Sequence, residues 1–404
     1  MLFLKDNKTL VTWWLVASAI AFAAFDKSNC DEVAAEPAVS DTLIYFSYSA
    51  NQQQQLQHLF ADLHHKYGFN GVVLIGQKDS VFYSESFGYS NYKTKDTLNE
   101  TTAFQLASVS KQFTAIAILQ LYQQKKLNLN DSIEHFYPDF PLKGITIHQM
   151  LTHRSGLPNY HYFLQHIPTT YDTLISNQQV VQEIINKNIP AYFSPDRRYL
   201  YSNTGYAVLA AIVEKVSGLQ FDEYIEKNIF KPLKMEQSFI YKGIKSEKTA
   251  TAATGYLYWW REAEDNYLDG VMGDKGIYTS ATDLFKWDQG LYNNQIIHSD
   301  TLKLAFQPWG KPLHFKSNYG YGWRMFYWGQ DSVKVLFHGG WWHGFKTLLL
   351  RIPQDSTTLI VLKNRSKGAH ISTRRILHIL YPDSLPPADS LEIHVIEEAQ
   401  IKEE

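Results

Sequence analysis

The stretch Phe104–Tyr122, FQLASVSKQFTAIAILQLY, predicts a short loop followed by a long helix. Apolar residues occupy nearly the whole circumference of this helix, and no glycine or proline interrupts it. A helix that is apolar on all sides is expected to run through the interior of a protein. The rest of the chain is therefore expected to pack around it.

Two polar residues, Ser108 and Lys111, lie at the start of this predicted helix. Residues three apart share one helix face, so a desolvated Lys amine could take the proton of the Ser hydroxyl. The N–H groups and dipole of the helix N-terminus would favour negative charge beside that hydroxyl. The S-x-x-K pattern is common, however, and Ser90–Lys93 repeats it in a stretch that predicts a turn. The ordinary alternative for Ser108 is a helix N-cap.

Composition sets the broad class of the protein. The chain has 404 residues, 45% of them hydrophobic and 19% charged, with a net charge of −2. These values predict one large or two modest globular domains, and without a basic block there is no case for a nucleic-acid partner. The single cysteine, Cys30, excludes an internal disulfide. Neither H-E-x-x-H nor G-x-S-x-G occurs, so we expect no metal, no cofactor and no α/β-hydrolase elbow.

The N-terminus is typical of an exported protein. Residues 10–25 form an apolar run of 16 residues, which is short for a spanning helix and suits a signal peptide. We predict a signal peptide or N-terminal anchor over residues 1–25, and lipidation of Cys30 is a lesser alternative. The mature protein is therefore expected outside the cytoplasm, in the periplasm or secreted, with membrane anchoring left open.

Strand and helix patterns divide the remainder into a linker at 26–50, one domain at 51–381 and a flexible tail at 382–404. Strand-like stretches occur near both ends of the domain, and helical spacing dominates residues 160–300. The predicted fold class is α/β (α+β): an antiparallel sheet from the N- and C-terminal parts, flanked by helices, with an inserted helical subdomain. The aromatic run Tyr256–Trp260 suggests a cleft lined with rings.

Two further patterns could complete a site around Ser108. In Tyr201-Ser-Asn203 the phenol could shuttle protons near a cationic Lys, and the amide could hold the Lys amine and a substrate carbonyl. Tyr89–Asn91 and Tyr292–Asn294 share the Y-x-N pattern, but only Tyr201 directly precedes a strong helix.

The other pattern, Val335–Phe345 (VLFHGGWWHGF), predicts a strand whose glycines allow close approach of a backbone or ligand. His338 and Gly340 share one side of that strand. The Trp341 N–H could face an oxyanion opposite the Ser108 N–H. The alternative is a glycine-rich hairpin with a surface His.

Taken in order, Ser108-x-x-Lys111, Tyr201-x-Asn203 and His338-x-Gly340 resemble the serine β-lactamase and DD-peptidase superfamily, closest to its class C β-lactamase-related branch. Four further segments match patterns of that family: Met150–Pro158, Phe193–Asn203, Gly276–Leu284 and His338–Phe345. The chain departs from the family at Asp196, where Gly is usual, and at His338, where β-lactamases and DD-carboxypeptidases carry Lys. The resemblance covers about residues 52–381 and implies a β-lactamase/transpeptidase-like fold.

By position, the resemblance implies that Ser108 is the acylated nucleophile and Lys111 its base. Tyr201 would relay a proton to the leaving group and later activate water. Asn203 would orient Lys111 and the substrate amide. The remaining implied residues bind substrate or form the oxyanion hole: His338, Gly340 and Trp341.

The implied function is an exported serine hydrolase that forms a covalent acyl-enzyme on an ester or a small D-amino-acid-type amide or peptide. A DD-carboxypeptidase or weak β-lactamase is an alternative within this mechanism. A non-catalytic penicillin-fold binding or sensor module is an alternative of another class. Small-molecule or short-peptide substrates are the expected partners, and the oligomeric state is left open.

Overall fold

The structure is a computed structural model that describes five stretches of the chain: residues 48–164, 174–243, 247–310, 318–328 and 333–382. The predicted N-terminal segment 1–25, nearly all of the linker and all but the first residue of the predicted tail lie outside the described residues. No helix within the described stretches is long and apolar enough to cross a membrane.

Within the five described stretches, the strands form one large sheet and two small ones. In chain order the strands are β1 Gly71–Gln77, β2 Ser80–Phe87, β3 Tyr89–Asn91, β4 Asp96–Thr97, β5 Phe104–Gln105, β6 Phe239–Ile240, β7 Ile277–Thr279, β8 Asn318–Tyr319, β9 Arg324–Trp328, β10 Val333–Trp342, β11 Phe345–Ile352 and β12 Thr357–Lys363. The large sheet has the order β2-β1-β12-β11-β10-β9-β8, and β3-β4 and β5-β7-β6 form the small sheets.

Pairing in the large sheet is antiparallel throughout, and its N-terminal hairpin joins the C-terminal strands through β1 and β12. The register of that joint sets Gly71 opposite Lys363. The predicted sheet, shared by the two ends of the chain, is therefore confirmed. Distant parts of the sequence meet here, because β1 has apolar residues for both faces of the sheet and must be covered on both.

The helices lie on both faces of the sheet and in the middle of the chain. In chain order they are α1 Ala50–Tyr67, α2 Ser110–Gln123, α3 Ile133–Phe136, α4 Ile147–Leu151, α5 Tyr160–Phe163, α6 Asn177–Lys187, α7 Asn203–Ser217, α8 Phe221–Ile225, α9 Glu247–Ala250, α10 Ala281–Gly290, α11 Ser299–Ala305 and α12 Thr373–Leu380. Short 3-10 turns span Ala107–Val109, Tyr258–Trp260 and Tyr267–Gly270, and a π turn spans Glu226–Phe230.

Side chains that alternate along the strands feed two separate cores. In β1, Val72 and Leu74 join the core shared with the central helices, whereas Val73 and Ile75 join the core covered by α1 and α12. Helix α2 lies in the first core, where every residue from Ser110 to Leu121 is buried. The prediction of an interior helix is confirmed, and its polar side chains must therefore find partners inside the protein.

Candidate active site

A single strained turn presents Ser108. Ala107 has φ of 48°, in the left-handed region that non-glycine residues seldom occupy, and the 3-10 turn Ala107–Val109 leads directly into α2. The N-cap of α2 is Val109, with no side-chain cap, so Ser108 is not the ordinary N-cap considered as its alternative. Backbone strain of this kind costs about 1–3 kcal/mol and often marks functional positions.

The Ser108 hydroxyl lies within hydrogen-bond distance of an amine and a phenol. Lys111 Nζ donates to Ser108 Oγ at 3.0 Å, and the Tyr201 hydroxyl lies 3.0 Å from the same oxygen. The Lys111 side chain is fully buried and also donates to the backbone oxygen of Asp274 at 3.0 Å. Three residues that the sequence analysis selected from two separate segments therefore meet at one oxygen atom.

The Tyr201 ring lies between buried and charged groups. The His153 ring centroid is 4.2 Å away, Lys111 Nζ is 4.8 Å from the ring centroid, and the Arg324 guanidinium carbon is 5.4 Å from it. Nearby positive charges favour the anionic form of a phenol. Sequence reasoning missed Arg324, which carries no motif and lies one strand away from His338, on β9.

His153 supports the backbone beside Tyr201. The Ser202 N–H donates to His153 Nδ1 at 3.2 Å, and burial lowers the pKa of His153 well below its ordinary value. Its imidazole is therefore neutral, with the ring proton on Nε2. His153 belongs to the family pattern Met150–Pro158, which could have indicated it, although the motif alone gave no role for the side chain.

Asn203 lies near the site but does not make the contact expected of it. It begins α7, and its Oδ1 is a buried atom that accepts no hydrogen bond. The orientation of Lys111 by Asn203 stays a prediction, and in this structure Lys111 Nζ donates to the Asp274 carbonyl. A buried acceptor without a donor is costly, which leaves Asn203 available for a substrate N–H group.

Strand β10 passes very close to the turn that carries Ser108. A Cβ atom added to Gly340 would lie 2.1 Å from the Leu106 carbonyl oxygen, and Thr347 Oγ1 donates to that same oxygen at 2.7 Å. No side chain fits between the two backbones. The close backbone approach predicted for the glycines of this strand is therefore confirmed.

The far end of β10 has one open edge. Strand β9 pairs with β10 only as far as Phe337, whereas β11 pairs with it up to Trp342. Since Trp342 and Phe345 flank a two-residue turn, ladder alternation turns the Trp341 N–H away from β11, toward the open edge. This orientation suits the role of oxyanion donor expected of Trp341.

His338 requires a correction. Its side chain has no exposed surface, with Nε2 3.0 Å from the Tyr319 hydroxyl and Nδ1 2.7 Å from the Gly339 carbonyl oxygen. Burial lowers its pKa well below the ordinary value, so the imidazole is neutral. The surface-His alternative is wrong, because the side chain is fully buried, and substrate binding by His338 stays a prediction. His338 instead holds Tyr319 beside Tyr201.

The departure at Asp196 leaves the local turn in place. Asp196 has φ of 63°, the left-handed conformation that glycine adopts most readily, and its N–H donates to the Arg154 carbonyl at 2.9 Å. Its carboxylate accepts a hydrogen bond from Gln149 Nε2 at 2.5 Å. Asp therefore accepts the backbone conformation of the usual Gly at some cost in strain.

The aromatic run Tyr256–Trp260 does not act as a single wall. Tyr256 is fully buried, Trp260 stacks on Tyr92 with ring centroids 4.1 Å apart, and Trp259 is 91% exposed. Both tryptophans have positive φ angles. Tyr256 and Trp260 are therefore packed against the protein, whereas the Trp259 side chain projects into solvent.

Among the described residues, one group could hold a metal ion. Oxygen and nitrogen atoms of Asp265, Asp269 and His343 lie within 4.8 Å of one another. The Asp269 carboxylate already accepts hydrogen bonds from Trp342 Nε1 at 2.8 Å and the His343 ring at 2.9 Å. The third member, Asp265, accepts a hydrogen bond from the Tyr241 hydroxyl at 2.6 Å.

The chain belongs to the beta-lactamase family, whose profile matches residues 56–381. This family relationship supports a serine hydrolase of that family, and so do the hydrogen-bond distances from Ser108 Oγ to Lys111 and Tyr201.

Among its relatives, penicillin-binding protein 4* of Bacillus subtilis is 33% identical over 364 residues, which cover 84% of this chain and 79% of the relative. The octameric penicillin-binding protein homologue from Pyrococcus abyssi shares the fold, with a TM-score of 0.70 and 24% identity over 84% of this chain and 79% of that one. The D-amino acid amidase from Ochrobactrum anthropi also shares it, with a TM-score of 0.65 and 20% identity over 78% of this chain and 92% of that one.

Proposed function

We propose that the protein is an exported serine hydrolase that forms a covalent acyl-enzyme on Ser108. The observation that carries the proposal is the pair of 3.0 Å contacts from Ser108 Oγ to Lys111 Nζ and to the Tyr201 hydroxyl. A hydroxyl becomes a useful nucleophile when an adjacent base takes its proton as it attacks. Lys111 and Tyr201 are the two groups within reach.

In the acylation step, Ser108 Oγ bonds to the substrate carbonyl carbon and passes its proton to Lys111. The N–H groups of Ser108 and Trp341 stabilise the resulting oxyanion. When the bond to the leaving group breaks, Tyr201 gives that group a proton, which Lys111 then replaces. In deacylation, Tyr201 passes its proton to neutral Lys111 as it takes one from water, the hydroxide attacks the acyl carbon, and Ser108 Oγ leaves with the proton that Lys111 returns.

The substrate class we propose is an ester or a small amide, including D-amino-acid-type amides and peptides. The unpaired Asn203 Oδ1 supports an amide, since a substrate N–H would satisfy a buried acceptor that is otherwise unpaired. The neutral, buried His338 argues against recognition of a substrate carboxylate at the position where β-lactamases and DD-carboxypeptidases carry Lys. Efficient penicillin hydrolysis is therefore the less favoured alternative.

Intact-mass spectrometry after incubation with a p-nitrophenyl ester, and separately with a penicillin, tests the proposal. We expect an acyl adduct that maps to Ser108, and its absence in Ser108→Ala. Ser90→Ala is the matched control, because Ser90 belongs to the second S-x-x-K copy, and its hydroxyl donates to the Asp96 carbonyl instead. An adduct on another residue would refute Ser108 as the nucleophile, and a folded protein that neither forms an adduct nor releases nitrophenol would favour a binding module instead.

A further inference from the structure

Residues 273–275, which include the Asp274 carbonyl that accepts a hydrogen bond from Lys111, lie between helices α2 and α7. The Gly273 carbonyl accepts a hydrogen bond from Thr114 Oγ1 of α2 at 2.6 Å, and the next carbonyl, that of Asp274, accepts from Lys111 Nζ at 3.0 Å. A Cβ atom at Gly273 would lie 2.3 Å from the Tyr206 carbonyl oxygen of α7. The backbone of this segment thus touches both helices that carry candidate residues.

Beside this backbone lies a buried ion pair. Asp274 and Lys275 are 1% and 3% exposed, and Lys275 Nζ is 3.6 Å from Asp274 Oδ1. The Tyr160 hydroxyl joins them, since it donates to Asp274 Oδ2 at 2.8 Å and accepts a hydrogen bond from Lys275 Nζ. A buried ion pair is weak evidence for stability, because desolvation cancels much of its attraction. Its presence next to Lys111 therefore invites a functional explanation.

Lys275 also lies near strand β10, which carries Trp341, the proposed oxyanion donor. Lys275 Nζ lies 5.0 Å from the ring centroid of Trp342, the residue after Trp341. The indole of Trp342 also donates a hydrogen bond from Nε1 to the Asp269 carboxylate at 2.8 Å. One cluster therefore touches both the residue whose carbonyl holds Lys111 and the neighbour of Trp341.

Several other groups lie near Lys111. Its own turn contributes Ser108, and the Tyr201 and Tyr206 rings lie 4.8 and 5.7 Å from Nζ. Other titratable or charged groups that face this region are Asp269, His153, His161, His338 and Arg324. Burial keeps the three histidines neutral, and it lowers the pKa of His161 to about 3. Lys111 and Lys275 both oppose protonation of His161, and Asp274 favours it, so these three charges act within one region.

We propose that Tyr160, Asp274 and Lys275 form a positioning cluster that fixes the Asp274 carbonyl against Lys111 and sets the local charge that Lys111 experiences. This inference rests on the proposed role of Lys111 as the base for Ser108. Loss of the Lys275 charge leaves the Asp274 carboxylate uncompensated and favours protonated Lys111. Loss of the Asp274 charge removes the carboxylate that lies 3.6 Å from Lys275 Nζ and favours neutral Lys111.

The test is the pH dependence of kcat/KM for a p-nitrophenyl ester, whose acid limb reports the base of the free enzyme. We expect the acid limb to move by roughly one pH unit to higher pH in Lys275→Met and to lower pH in Asp274→Asn. The double variant should return close to the wild-type limb. In Tyr160→Phe, which loses a hydroxyl and no charge, kcat should fall by up to about 100-fold while the limb stays in place.

Two controls keep the result decisive. Asp288→Asn removes a buried carboxylate from a different pair, with Arg351, and should leave the acid limb unmoved. Titration of the Lys111 Nζ signal by ¹⁵N NMR, assigned with Lys111→Met, gives the same comparison without turnover. If the wild type forms no adduct, the proposed function fails, yet the NMR midpoints still judge the cluster. Equal midpoints in wild type, Lys275→Met and Asp274→Asn would overturn the positioning cluster.

Discussion

Replacement of Gly340 by Ala tests whether the contact between β10 and the Ser108 turn positions the site. The new Cβ atom would lie 2.1 Å from the Leu106 carbonyl oxygen and 3.1 Å from Ala107 Cβ. The first contact is with backbone, which cannot rotate away as a flexible side chain can. Gly340 itself does not have a positive φ, so the effect is steric and not a matter of backbone conformation.

The size of the effect follows from these distances. Ordinary van der Waals contact for a Cβ atom begins at 3.4 Å, so β10 and the Leu106 backbone must separate by about 1.3 Å. Trp341 follows Gly340 directly and would move with it. A misplacement of about 1 Å at a reacting centre can cost about 100-fold in rate, or about 2.7 kcal/mol of activation free energy. Overpacking should also lower the free energy of unfolding by about 1–3 kcal/mol.

The assay is ester hydrolysis under steady-state conditions, together with thermal unfolding of each variant. We expect kcat to fall by about 100-fold in Gly340→Ala with a smaller change in KM, since the oxyanion develops only in the transition state. Gly218→Ala is the matched control. Gly218 has φ of +73° and no atom within 4 Å of an added Cβ. It should lose about 1 kcal/mol of stability and no activity.

A wild-type kcat in folded Gly340→Ala would refute this reasoning. It would mean either that β10 can shift without consequence or that Trp341 does not supply the oxyanion donor. A loss of kcat in Gly218→Ala equal to that in Gly340→Ala would show that the effect reflects general destabilisation.

Two further predictions concern stability. Burial depresses the pKa of three histidines, so the unfolded chain binds more protons than the folded one below about pH 6.5. As the pH falls below that value, the free energy of unfolding should decrease by up to about 1.4 kcal/mol per pH unit for each histidine. These histidines are His153, His161 and His338. His161→Phe should flatten the pH profile measured by urea unfolding, and an unchanged slope would contradict this. Trp259→Gly should gain up to about 1 kcal/mol, because it relieves a positive φ at a 91% exposed side chain. Trp260→Gly should instead lose stability with its Tyr92 stack, and equal effects by calorimetry would refute the distinction.

Local patterns in the sequence predicted much of the fold. The apolar circumference of α2 predicted a buried helix, and the structure buries every residue from Ser110 to Leu121. The apolar run of β1, alternation in β2 and strand patterns near the C-terminus predicted a sheet joined from both ends of the chain, which the β1–β12 pairing confirms. Such patterns are readable because helix and strand periods of 3.6 and 2 residues decide which side chains can be buried together.

The candidate site was only partly readable. Ser108, Lys111 and Tyr201 could be chosen from the sequence. Residues three apart share one helix face, and the S-x-x-K and Y-x-N patterns occur in the order that the family has. Which group holds Lys111 could not be chosen this way, because the answer is the backbone oxygen of Asp274 and not the side chain of Asn203. A backbone carbonyl has the same chemistry in every residue and leaves no mark in the sequence.

The sequence by itself determined the buried helix, the shared sheet and the order of the motif residues around Ser108. The tertiary structure alone decided that His338 is buried and neutral, that Arg324 faces Tyr201, and that an ion pair lies behind Lys111. The physical reason is that burial and charge are properties of a place in the fold. They depend on strands and loops that are far apart in the chain and meet only when it folds.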